Sequence, residues 1–158
     1  MRIVLDGLAA NEPLDDIVRQ LRAFAEYAFP FPGSVLIDVA ADALTVVGAT
    51  RSTPVSITGA TERHLVEWSV TGNTARQKHR AALQAAVATH GGIAVDYDEV
   101  AGWWQHQDFT LHAFEAAVVL IRLAAEHTGR SLLSVCDEIA ANEKVPLDRS
   151  TTDDRLLP

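Results

Sequence analysis

Val35-Leu36-Ile37-Asp38-Val39-Ala40, followed by Ala41-Asp42 and then Leu44-Thr45-Val46-Val47, is the stretch on which the fold class turns. Val35, Ile37 and Val39 alternate with Leu36, Asp38 and Ala40, the period of two expected of a strand. Leu44 to Val47 reads as a return strand across a short turn at Ala41-Asp42. Val55 to Thr58 adds a weaker third strand, which Pro54 places at an edge or a strand start. His64 to Val70 reads as a fourth, with His64, Val66, Trp68 and Val70 on one face. Arg2 to Leu5 and Ile93 to Val95 are further short candidates. The close spacing favours an antiparallel meander, because parallel pairing needs longer crossovers.

Outside this region the pattern is helical. Pro13 is tolerated at a helix start, and Asp15 and Asp16 suit the positive end of the helix dipole. Leu14, Ile17, Val18, Leu21, Phe24, Ala25 and Ala28 recur at three- and four-residue spacing, and Phe29-Pro30-Phe31-Pro32-Gly33 ends the run. Thr74 to Thr89 reads as an Ala-rich helix closed by Gly91-Gly92. Asp96 opens a short helical piece. Phe109 to His127 reads as a long helix, apolar nearly all round between Ala116 and Ile121. Thr128-Gly129-Arg130 makes a turn and Ser131 is an N-cap. Leu132 to Ala141 is then a last helix, with Leu133, Cys136, Ile139 and Ala140 inward. The expected fold is α+β: an antiparallel sheet of about four to five strands in the N-terminal half, packed by an N-terminal amphipathic helix and by C-terminal helices. Residues 1–143 are expected to form one domain, with 144–158 as a flexible polar tail.

Composition narrows the class. The chain has 158 residues, 48% of them apolar, enough for a packed core in one domain. Its formal charge of −8 argues against nucleic acid and anionic membranes as partners and suits a basic protein. Arg2-Ile3-Val4-Leu5-Asp6 is no signal peptide, and no run is long enough to span a bilayer. The single cysteine, Cys136, excludes an internal disulfide and a cysteine zinc site, which suggests a cytoplasmic setting. The bias to Ala, and to Arg over Lys, suggests a GC-rich bacterial or phage genome.

The densest chemistry lies between Asp96 and His112. Asp96, Asp98, Glu99, His106, Asp108 and His112 are all oxygen or imidazole donors. His106, Asp108 and His112 are the catalytic and metal-ligand candidates, since Asp108 and His112 share one helix face and mixed His/carboxylate sets hold metal or move protons. A plainer reading is favoured. Asp96 and Glu99 have the spacing of a capping box, and Asp108 is placed as an N-cap. Asp108, His112, Glu115, Arg122 and Glu126 then form a solvated stripe. Trp103 and Trp104 are the partner-binding candidates, because large aromatics dominate binding hot spots. Arg76, Lys78 and Arg80 are the anion-binding candidates, since three cations at a helix start oppose its dipole. His79 and His90 fall on the line of Ala75, Ala82, Leu83 and Ala86, at the core margin.

No serine-nucleophile elbow, phosphate loop, HExxH or EF-hand pattern is present. Cys136 reads as an inert core thiol. The last helix carries Asp137 and Glu138 and would be repelled by DNA. The expected role is therefore protein–protein interaction by a small acidic protein, as inhibitor or immunity protein, chaperone-like factor or assembly factor, without a cofactor. Self-association is a further expectation. The alternatives are a small enzyme or ligand binder using His106, Asp108 and His112, with or without a metal, and a phosphate or nucleotide binder at Arg76 to Arg80.

Overall fold

The structure, a computed structural model, describes residues 2–25, 32–48, 73–93, 95 and 106–142. These form six α-helices: α1 (Arg2–Ala9), α2 (Leu14–Ala25), α3 (Pro32–Val47), α4 (Asn73–His90), α5 (His106–Thr128) and α6 (Leu132–Asn142). Among the described residues there is no strand, so the α+β expectation is overturned in favour of an all-helical arrangement. The stretch 35–47 is one continuous helix, with Pro32 at its first position, where a missing N–H costs nothing. Arg2 to Leu5 belongs to α1, and neither Ile93 nor Val95 is in a strand. The expected strands at 55–58 and 64–70 lie outside the described residues.

The physical reason for the correction at α3 is burial. Leu36, Ile37, Val39, Ala40, Ala43, Leu44 and Val47 are buried on a helical period, and Asp38 and Thr45 face outward. The strand preference of β-branched residues is worth at most about 1 kcal/mol per site. Fully burying one Val, Leu or Ile side chain contributes about 1.5–3 kcal/mol. Packing therefore overrides local preference, and α3 lies along α5 in the largest helix contact of the fold.

α5 is the centre. From Ala113 to Ile121 every residue is buried, and the ring of side chains is covered by α3, α4, α6 and the edge of α2. α1 packs on α6 and α2. Helix ends follow the expected punctuation. α4 stops in a Schellman motif: Ile93 N–H donates to the Ala88 carbonyl at 2.9 Å and Gly92 N–H to that of Thr89 at 3.0 Å. After α5, Gly129 takes a φ of 66°, and the Ser131 hydroxyl then accepts from Ser134 N–H at 3.1 Å as the cap of α6.

Two side chains assigned inward by periodicity are outward instead. Phe24 is 45% exposed and Leu133 53% exposed. Among the described residues no helix is long and apolar enough to cross a membrane.

Gly7 lies where α1 comes close to Ile17 of α2. A Cβ at this position would lie 2.7 Å from Ile17 Cγ1 and 2.8 Å from Cδ1. Gly7→Ala is expected to cost about 1–3 kcal/mol through overpacking, read as a lower urea midpoint at unchanged slope. Gly129→Ala meets open space but forces a left-handed residue, and is expected to cost about 1–2 kcal/mol in the same assay.

Candidate functional site

Three ionisable side chains meet inside the helical core. His79 comes from α4; His112 and Glu115 come from α5, one turn apart. Their exposures are 3%, 6% and 2%. Glu115 stands in Ala113-Phe114-Glu115-Ala116-Ala117, where every neighbour is buried as well. It is therefore not on a solvated stripe, as the helical spacing had suggested. The stripe turns outward only further along, where Arg122 is half-buried and Glu126 exposed. Burial holds the Arg122 guanidinium below its ordinary range.

Glu115 Oε2 is the common point. His112 Nδ1 lies 3.1 Å from it, in hydrogen-bonding geometry, and the Nδ1 tautomer donates there. His79 Nδ1 lies 3.4 Å from the same oxygen, close enough for charge interaction but not aligned as a hydrogen bond. Glu115 Oε1 and both ring nitrogens of His79 have no hydrogen-bond partner among the described residues. A buried polar group left unsatisfied costs about 1–3 kcal/mol. Burying an unpaired ion costs several. The hydrogen bond between His112 and Glu115 offsets part of this cost.

Among the described residues no group of three or more His, Cys, Asp or Glu side chains is placed to hold a metal ion. His79, His112 and Glu115 fall under that statement. His106 and Asp108 lie in the first turn of α5, so the helix starts before Asp108 and the N-cap reading of that residue does not hold. The positions of the His106 and Asp108 side chains lie outside the described residues, as do Trp103, Trp104 and the side chain of Arg76. Of the anion-binding candidates, Lys78 is half-buried and already engaged by a neighbouring group, and Arg80 is exposed. His90 is half-buried and meets Thr45 Oγ1 through its Nδ1 at 3.3 Å, joining the C-terminal ends of α4 and α3.

Sequence reasoning placed His112 among the candidates and His79 at the core margin, but missed their meeting on Glu115. The available signal was a lone carboxylate in an otherwise apolar helix centre. Against known proteins, the chain matches no family model, no curated protein and no solved structure.

Cys136 is also buried, at 2% exposure. Desolvation, then the negative charges of Asp137 and Asp6, push its thiol up from 9.0 to about 11. The native thiol thus holds its proton more tightly than the unfolded one. Its contribution to stability is intact below pH 9.0 and is lost as pH rises toward about 11. Alkylation of native Cys136 by iodoacetamide at pH 8 is expected to be roughly 100-fold slower than in the urea-unfolded chain. A difference under about tenfold would contradict the buried placement.

The cluster predicts an asymmetry. Glu115→Ala removes the acceptor and leaves His112 buried without it, so a loss of about 3–5 kcal/mol in urea unfolding is expected. His79→Leu removes a group that makes no hydrogen bond among the described residues and is expected to be neutral or stabilising by about 1 kcal/mol. Equal losses in both variants would show that His79 is held by a contact the geometry does not contain.

Proposed function

We propose that this chain is a small cytoplasmic interaction protein, an inhibitor or immunity protein, chaperone-like factor or assembly factor, that works by contact with a basic protein. The observation that carries the reading is the direction in which its side chains face. Among the described residues, four groups able to do acid–base or nucleophilic work, His79, His112, Glu115 and Cys136, are turned inward and closed off from water. Apolar side chains that periodicity would bury, Phe24 and Leu133, are turned out. Leu133 stands one helical turn before the exposed Asp137, which pairs an apolar contact with a carboxylate on one face of α6. The chain's formal charge of −8 would speed encounter with a basic surface. The single cysteine, buried as a thiol, fits a reducing compartment.

The competing readings have less support. A catalytic or ligand role for His112 must contend with its burial and its bond to Glu115. A phosphate site at Arg76 to Arg80 must contend with a Lys78 that already has a partner.

The test is cross-linking of the tagged protein in its native host, followed by titration of the recovered partner against variants. Leu133→Asp and the Trp103→Ala/Trp104→Ala pair are expected to weaken binding by roughly tenfold to a hundredfold with helicity unchanged. Added salt is expected to slow association. Unchanged affinity and unchanged oligomer mass in all these variants would refute the surface reading.

A further inference from the structure

The inner face of α4 is built almost wholly from alanine. Ala82, Ala85 and Ala86 are buried on it, and Ala81 and Ala88 flank it half-buried. Leu83 is its one large buried apolar side chain among the described residues. Such a face has little relief. Side chains fitting the grooves of a neighbour set where a helix sits, and a row of methyl groups fits several positions nearly alike. Val87 sharpens the point. It stands one turn after Leu83 and is left 42% exposed. Sliding α4 by one turn would bring Val87 to the seat of Leu83, and Ala86 to the seat of Ala82. Apolar packing alone therefore does not choose between the two registers.

The polar contacts of α4 do choose. His79 and His90 lie about three helical turns apart on one stripe. His79 Nδ1 reaches Glu115 Oε2 on α5 at 3.4 Å. His90 Nδ1 meets Thr45 Oγ1 on α3 at 3.3 Å. The Thr45 hydroxyl donates to the Ala41 carbonyl at 3.4 Å, which leaves its oxygen to accept from His90. In the slipped register Leu83 would face the Glu115 carboxylate in place of an imidazole. His90 would be forced into the small seat of Ala86, and Thr45 would lose its partner on α4.

We propose that His79 and His90 are register pins: one set against α5 and the other against α3, they select a single axial position for a helix whose apolar face accepts two. His112 holds Glu115 from within α5 and so fixes the point on which the first pin lands. The device is the one by which a single polar side chain in a helical interface fixes register at a cost in stability. It gives buried polar groups a conformational role rather than a chemical one.

Nitrogen–proton correlation spectra of the full chain, with urea unfolding of the same samples, test the pins. The parent is expected to show one signal per α4 amide. In His79→Leu/His90→Ala the two registers present the same groups, since a leucine faces Glu115 and an alanine fills the Ala86 seat in either. Each pin weights the registers by roughly tenfold, so this variant is expected to raise the slipped population by about a hundredfold. The readout is a second set of signals, or broadening, in α4 and the facing parts of α3 and α5, with α1 unchanged. Val87→Lys is exposed in the native register but would put an ammonium in the seat of Leu83 in the slipped one. Added to the double variant, it is expected to return α4 to one set. Single sharp α4 signals in the double variant overturn the proposal. So do signals doubled in every helix alike, a second set that survives Val87→Lys, or a double variant that fails to fold.

Discussion

Covering α5 is the constraint from which the rest of the molecule follows. Residues 113–121 are buried on every side, so no single neighbour can shield the helix. Shielding requires α3, α4, α6 and part of α2 at once. Phe109, Phe114, Leu120 and Ile121 are fully enclosed, each contributing about 1.5–3 kcal/mol of burial. That requirement also decides α3, whose β-branched residues would suit a sheet but whose larger gain is against α5.

The same enclosure sets the cost of the polar cluster. An apolar residue at Glu115 would fill the space without the desolvation that a carboxylate suffers there. The chain instead places a carboxylate among Ala113, Phe114, Ala116 and Ala117 and meets it with imidazoles from two helices. His112 offsets part of the cost through its hydrogen bond, whereas His79 adds proximity without one. The result is a core that is compact by packing but encloses a carboxylate and two imidazoles among its apolar side chains.

How much of this was legible in the sequence depends on the element. α2, α4, α5 and α6 could be read from three- and four-residue spacing and from their end signals, down to the Ser131 cap and the Gly91-Gly92 stop. α3 was misread because an almost wholly apolar run satisfies a period of two and a period of 3.6 alike. The discriminating residues were the polar ones. Asp38, Asp42 and Thr45 are spaced four and three apart, which is helical. α1 carried a similar clue in Arg2 and Asp6, four apart and 3.6 Å from each other as an ion pair. The site was half legible. Spacing showed that Asp108, His112 and Glu115 share a face of α5. It could not show that α4 lies over that face, because what covers a helix is set by tertiary packing. Phe24 and Leu133 failed for the converse reason: periodicity names a stripe but not where the neighbouring helix ends.

The seat of α1 ties the order of synthesis to the order of folding. Val4, Leu5 and Leu8 are buried, and α1 rests on α6 as well as on α2. α6 begins at Leu132, so about 120 residues separate the two surfaces along the chain. At common translation speeds that gap is on the order of ten seconds. During that interval a nascent α1 has α2 as its main support among the described helices, and the side that α6 will cover is open to chaperones or to unwanted neighbours. Native packing of α1 is thus complete only after α6 has been made.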